Sequence, residues 1–249
     1  MRLVIAAALS LAACAGSPAP RPGDPAAAPR VLVVLTSHGQ LGDTGRDTGF
    51  YLSELSHVYY PLREAGIELT LASIEGGEPP MDGVSRDDAL NARLLDDPEA
   101  MAALRSTRPL SEVDASTYDA VYFPGGHGTM WDLPADPDVQ RVIREVLARD
   151  GTVAAVCHGP AAFVGATDAE GRPLVEGRRV SAFSDAEERD RELHDVVPFL
   201  LESRLRAQGA TLEPAPPFTP QVVEDGPLLT GQNPASAGPL AERLIERVR

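Results

Sequence analysis

Val153-Ala154-Ala155-Val156-Cys157-His158-Gly159-Pro160 joins a short apolar run to an abrupt Cys-His-Gly. The pattern predicts a buried strand that turns sharply into a helix. An elbow of this kind holds its central side chain on strained backbone with N–H groups nearby, which presents a nucleophile and stabilises an oxyanion. A helix N-terminus behind it would lower the thiol pKa, so that an exposed Cys157 supplies thiolate near neutral pH. The chemistry implied is covalent attack of sulfur on a carbonyl carbon, with His158 beside it. The competing reading is a buried core cysteine followed by a solvent-facing histidine, since free cysteine is among the most buried residue types.

The other cysteine has a different setting. Met1-Arg2, an apolar stretch from Leu3 to Leu11, and Leu11-Ala12-Ala13-Cys14 form a short basic region, a hydrophobic region and a small-residue cleavage site. This resembles a bacterial lipobox, which implies a signal peptide over 1–13, acylation of Cys14, and a lipid anchor on the periplasmic side of the cell envelope. Ala15 in place of an aspartate leans toward the outer membrane. Cys157 is then the only free thiol of the mature chain, and a lone thiol in an oxidising compartment is a candidate reactive group.

The elements that must position Cys157 emerge from hydrophobic patterning. Residues 14–29 are rich in Ala, Pro and Gly and read as a disordered tether, and 30–249 as one α/β domain. Val31 to Leu35 and Ile67 to Leu71 read as strands around a helix from about Thr48 to Glu64. Asp119 to Phe123 leads into the loop Pro124-Gly125-Gly126-His127-Gly128, and a helix over Asp138 to Arg149 precedes the Cys157 strand. Alternation of this kind predicts a mostly parallel sheet with helices on both faces, a flavodoxin-like sandwich whose site lies at the carboxyl ends of the strands. The glycine-rich loop and Cys157 should share that edge. Residues Gly76 to Pro109 are acidic and irregular, and read either as a lid or as a peripheral helix pair.

Charge narrows the partners. With 22 basic against 37 acidic residues and a formal net charge of -15, nucleic acid is not an expected partner. The histidines at 38, 57, 127, 158 and 194 have no compact ligand spacing, so no metal and no cofactor is expected; His127 with His57 and a carboxylate is the one metal grouping to consider.

Thr48-Gly49 followed by Glu54, then Gly126-His127-Gly128-Thr129, Ala155 to Pro160, Gly171-Arg172-Pro173-Leu174, Glu176-Gly177 and Asn233-Pro234-Ala235-Ser236 together resemble the PfpI-like superfamily, with its class I glutamine amidotransferase-like fold. The likeness is closest to its glutathione-independent glyoxalase branch, also described as heat-shock holdase chaperones. It implies Cys157 as nucleophile, His158 as its catalytic neighbour, and Glu54 as the acid that hydrogen-bonds the thiol and shuttles protons. It also implies Glu188 as the carboxylate orienting the histidine, with adjacent Glu187 leaving that choice open by one residue. His127 would belong to the substrate loop, and the Gly126 and His158 amides to an oxyanion hole.

Those residue types suit a 2-oxoaldehyde. Thiolate addition gives a hemithioacetal, a base moves a carbon-bound proton to the neighbouring carbon, and water hydrolyses the resulting thioester. Glu54, on a helix face with Phe50, Tyr51 and Val58, would have its pKa raised toward that work, unless it is an ordinary solvated glutamate. The expected activity is a lyase-type conversion of methylglyoxal or glyoxal to D-lactate or glycolate, with deglycase activity as a variant. A holdase chaperone and a cysteine peptidase are the alternatives. An amidotransferase is disfavoured because no histidine follows His194. The sequence is compatible with a homodimer but does not fix the oligomeric state.

Overall fold

A computed structural model describes residues 28–249. The signal segment 1–13, Cys14 and nearly all of the tether lie outside the described residues. In chain order the elements are β1 (Arg30–Leu35), β2 (Phe50–Tyr51), α1 (Leu52–Glu64), β3 (Glu68–Ser73), β4 (Met81–Asp82), α2 (Ala89–Asp96), α3 (Pro98–Arg105), β5 (Arg108–Pro109) and β6 (Ala120–Phe123). They continue with α4 (Thr129–Asp132), α5 (Pro137–Leu147), β7 (Thr152–Val156), α6 (Asp185–Asp190), α7 (Leu201–Ala207), β8 (Val222–Asp225), β9 (Leu228–Gly231) and α8 (Ala237–Val248).

Seven strands form one sheet in the order β5-β3-β1-β6-β7-β9-β8, parallel throughout except for the antiparallel β8 and β9. Parallel strands covered on both faces need apolar side chains at every position, which is why β1 reads as an unbroken apolar run. Val31, Val33 and Leu35 pack with Leu55, Val58 and Leu62 of α1 and Leu240 and Leu244 of α8. Leu32 and Val34 face the other layer, with Val139, Val142, Ile143 and Val146 of α5 and Leu201 and Leu205 of α7. Each large side chain so buried contributes about 1.5–3 kcal/mol.

The region from Gly76 to Pro109 is the helix pair rather than a lid. Asp88 and Asp97 cap α2 and α3 by accepting backbone N–H bonds, and Leu94, Ala100, Met101 and Leu104 pack into the α1 layer. The helix expected from Thr48 begins only at Leu52, because Phe50 and Tyr51 pair in parallel with Met81 and Asp82. Gly49 permits this, since a Cβ there would sit 2.0 Å from the Pro80 carbonyl oxygen.

From β1 the chain runs outward to β3 and β5, then returns to β6 on the other side of β1. That reversal opens a crevice at the carboxyl ends of the central strands, the usual ligand position of such sheets. The ends of β6 and β7 and the start of α1 meet there.

Candidate active site

Cys157 comes directly after β7 and has φ of 60°, the left-handed region that a non-glycine residue enters at a cost of about 1–3 kcal/mol. Two main-chain bonds hold it: Cys157 N–H donates to Gly231 O at 2.9 Å, and Phe183 N–H donates to Cys157 O at 2.8 Å. The end of β6 approaches so closely that a Cβ on Gly125 would lie 2.6 Å from the His158 nitrogen. This contact requires glycine in the loop and puts the neighbouring Gly126 beside the elbow.

The thiol is not the exposed, acidified group that the sequence suggests. Cys157 is 4% exposed, and burial, together with the charge and hydrogen bond of a Glu54 carboxylate, pushes its pKa well above the ordinary thiol value. The elbow leads into a five-residue 3-10 helix, Gly159–Phe163, too short to set up the field of a long α-helix. Ionisation of Cys157 therefore depends on the groups around it.

Those groups are close. His158 Nδ1 is 3.3 Å from the sulfur, and His158 Nε2 is 2.8 Å from Glu188 Oε2. Glu188 Oε1 lies 2.9 Å from His127 Nε2. Burial opposes ionisation of Glu188, yet its electrostatic attraction to His158 and hydrogen bonds from His127 and His158 hold its carboxyl well below the usual range. An ionised carboxylate only accepts, so both Nε2 atoms donate and His158 Nδ1 is left with its lone pair toward the sulfur. Burial and the neighbouring His127 push His158 below the ordinary histidine value. It is a neutral imidazole near pH 7, able to take the thiol proton.

Glu54 completes the group from the first turn of α1. It is fully buried; its Oε2 accepts the Gly125 N–H at 2.6 Å, and its Oε1 accepts no N–H, which leaves the carboxyl free to interact with the Cys157 thiol. Burial raises its pKa to about 8. Glu54 and Cys157 are thus coupled: an ionised Glu54 holds the proton on sulfur, whereas a protonated Glu54 removes that repulsion and can donate to a thiolate.

All six residues picked from the sequence for chemistry, Glu54, Gly126, His127, Cys157, His158 and Glu188, meet in one place. The alternative between Glu187 and Glu188 resolves by geometry. Glu188 binds the histidines, whereas Glu187 turns away to accept from Ser184 N–H and Oγ, Phe218 N–H, Gln232 Nε2 and Asn233 Nδ2. That explains the Asn233-Pro234-Ala235-Ser236 motif, which ties β9 to the helix carrying Glu188. The Gly171-Arg172-Pro173-Leu174 motif is a turn held at the surface by the Arg172–Asp168 pair at 2.8 Å and in the core by Leu174, and it does not reach the site. Sequence reasoning missed the ring stack: Phe183 lies 4.4 Å from His158 and 6.4 Å from Phe218, centroid to centroid. Ser-Ala-Phe-Ser-Asp carries no periodic signal that could have revealed Phe183.

His127, His158 and Glu188 also offer ligand atoms within 4.8 Å of one another. A metal there would displace the hydrogen bonds that orient His158. His57, considered above as a partner of His127, instead pairs with Asp88 at 2.7 Å. Above Cys157 a cavity of about 260 Å³ opens, lined by Tyr51, Asp82, Gly126, His127, His158, Phe183 and neighbours.

A parallel α/β sheet with a cysteine on a strained elbow, a histidine at its side and a buried glutamate opposite defines a class of cysteine-dependent sites. The sequence pattern of the DJ-1/PfpI family spans residues 47–247, and the chain belongs to this family. It is 33% identical to glyoxalase 3 of Candida albicans over 87% of this chain and 97% of that protein. It is 32% identical to the glutathione-independent glyoxalase HSP31 of Saccharomyces cerevisiae, over 88% and 98% of the two chains. The X-ray structure of the Rapid Encystment Protein of Francisella tularensis superposes with a TM-score of 0.86 at 36% identity, covering 89% of this chain and 99% of that one.

Glu188→Gln tests the orienting carboxylate. The amide keeps the shape but cannot hold both histidines as donors, so turnover should fall about a hundredfold or more. Folding, read by circular dichroism, should be retained. A kcat within a few-fold of wild type would remove Glu188 from the machinery.

Proposed function

We propose that the protein is a glutathione-independent glyoxalase. The observation that carries this reading is the buried Glu54 carboxyl, raised to about 8 and coupled to the Cys157 thiol. Simple hydrolysis by a cysteine needs a thiolate and a histidine. A 2-oxoaldehyde isomerisation also needs a group that takes and returns a proton near neutral pH, and Glu54 is tuned for that.

His158 Nδ1 takes the thiol proton as sulfur adds to the aldehyde carbon, giving a hemithioacetal whose oxyanion lies by the Gly126 and His158 amides. Glu54 gives its proton to that oxyanion and, as carboxylate, moves the C1 proton to C2, while the His158 imidazolium protonates the C2 oxygen and the C1 hydroxyl proton returns to Glu54, converting the hemithioacetal to the thioester of a 2-hydroxy acid. Neutral His158 then activates water, the C–S bond breaks, and the acid leaves with the thiol restored. One water is consumed, and no electrons are exchanged with the surroundings. For methylglyoxal the product is lactate, and for glyoxal glycolate.

The activities for which the Candida and Saccharomyces relatives are named support the same chemistry. The small cavity speaks against a polypeptide substrate. Among the described residues only Val84 and Phe218 are large, exposed apolar side chains, which gives little surface for a holdase. Purified protein with methylglyoxal, without added thiol, should yield D-lactate by chiral chromatography in step with aldehyde loss. Aldehyde consumption without lactate would refute the isomerase reading.

A further inference from the structure

Two arginines line the cavity through which substrate reaches the thiol. Arg46, on the loop before β2, and Arg191, just past α6, both line the cavity above Cys157. Neither forms an ion pair with any described residue, and the chain they belong to carries a formal net charge of -15. Among the residues lining the cavity the one acid is Asp82, whose oxygens accept from Gly83 N–H at 2.6 Å and Thr48 Oγ1 at 3.3 Å.

Arg191 is also fixed in place. Its guanidinium lies 4.9 Å over the Phe218 ring, and Glu187 anchors Phe218 through its N–H at 2.8 Å. Its charge reaches the site: Tyr51 is pushed up by burial and by Glu54, and Arg191 pulls it back down. The short helix that carries Glu188 to His158 therefore also ends in a cation facing the same cavity.

We infer that this mouth selects 2-oxoaldehydes whose tail ends in a carboxylate, with Arg46 and Arg191 as the specificity-determining pair. The inference rests on the glyoxalase reading for the identity of the aldehyde, and on the arginine geometry for the charge. An anionic tail is repelled by the net charge of -15 and attracted by this arginine pair at the cavity of the nucleophile. The attraction is Coulombic, so it weakens with salt.

A matched substrate pair tests the charge: 2-oxopentanal, and the same aldehyde with its terminal methyl replaced by a carboxylate. Wild-type kcat/KM should favour the carboxylate by at least about tenfold at low ionic strength, and the ratio should shrink as salt rises. It should fall toward one in the Arg46→Gln/Arg191→Gln double variant and be largely kept in Arg46→Lys/Arg191→Lys. Alkylation of Cys157 gives a readout independent of turnover. The iodoacetate to iodoacetamide rate ratio, measured by intact mass and normalised to a small free thiol, should be raised in wild type and fall in the double glutamine variant. If 2-oxopentanal is turned over as well as the carboxylate and alkylation shows no anion preference, the specificity proposal fails while the glyoxalase reading stands. If neither aldehyde reacts but iodoacetate is still preferred, the glyoxalase reading fails and the anion-selecting mouth survives. A thiol that shows no preference and no turnover overturns both.

Discussion

Cys157→Ser is expected to abolish 2-oxoaldehyde consumption, with a loss of at least about a thousandfold, or roughly 4 kcal/mol of transition-state stabilisation. Serine fits the elbow, since the strained φ of 60° and the bonds to Gly231 and Phe183 involve only the backbone. A hydroxyl is a far weaker nucleophile than a thiol, and burial at position 157 opposes the formation of an alkoxide. Circular dichroism and thermal unfolding should match wild type. Incubation with aldehyde and then intact-mass analysis should trap a covalent adduct in wild type and none in the variant. Retained turnover in a folded variant would rule out the covalent route and leave Glu54 and His158 without a shared substrate.

The sequence made the sheet legible because each central strand is an apolar run that ends in turn residues. It made the elbow legible because Cys-His-Gly breaks such a run. It could not show the thiol's state. Patterning identifies a strand end but not the side chains that arrive from elsewhere, and here α1 brings Glu54 and the loop after β6 brings Gly125 into direct contact with it. The expected helix field also depended on a length that sequence did not supply, and Gly159–Phe163 is a 3-10 turn. Glu187 and Glu188 are adjacent in a charged stretch whose only apolar member, Ala186, is too small to give the phase. Only the capping box set by Ser184 rotates Glu187 toward Asn233 and leaves Glu188 to the histidines. Phe183, Arg46 and Arg191 were invisible for the same reason: their meaning lies in the cavity they line, which is made by segments distant in the chain.

Those contacts also explain why the site is assembled around uncharged groups. Near neutral pH the resting thiol and Glu54 are both mostly protonated and His158 is neutral, so Glu188 is the buried charge in the reacting cluster, satisfied by two histidine donors. Desolvation penalises every additional charge there. Sulfur, imidazole and carboxyl are nonetheless adjacent, so a proton can pass between them as bond formation to substrate lowers the affinity of the sulfur.

Glu54→Gln should separate stability from activity. Burial raises the Glu54 carboxyl from its ordinary 4.5 to about 8, so between those values the folded chain holds a proton that the unfolded chain has released. The stability this contributes is complete below about pH 4.5 and is lost as pH rises through about 8, up to roughly 1.4 kcal/mol per pH unit and some 4–5 kcal/mol in total. His158, with its folded pKa lowered, works in the opposite sense over part of this range, which is why the comparison must be made between wild type and variant at each pH. Glutamine keeps an oxygen for the Gly125 N–H and does not titrate. Urea midpoints at pH 5, 6.5 and 8 should therefore fall more steeply for wild type than for Glu54→Gln, and the variant should be the more stable protein at the highest pH. Its turnover should nonetheless drop by about a hundredfold or more, because an amide cannot carry the proton from C1 to C2. Parallel pH profiles for the two proteins would mean that Glu54 is ionised in the folded state at neutral pH, and that the proton shuttle must be sought in another residue.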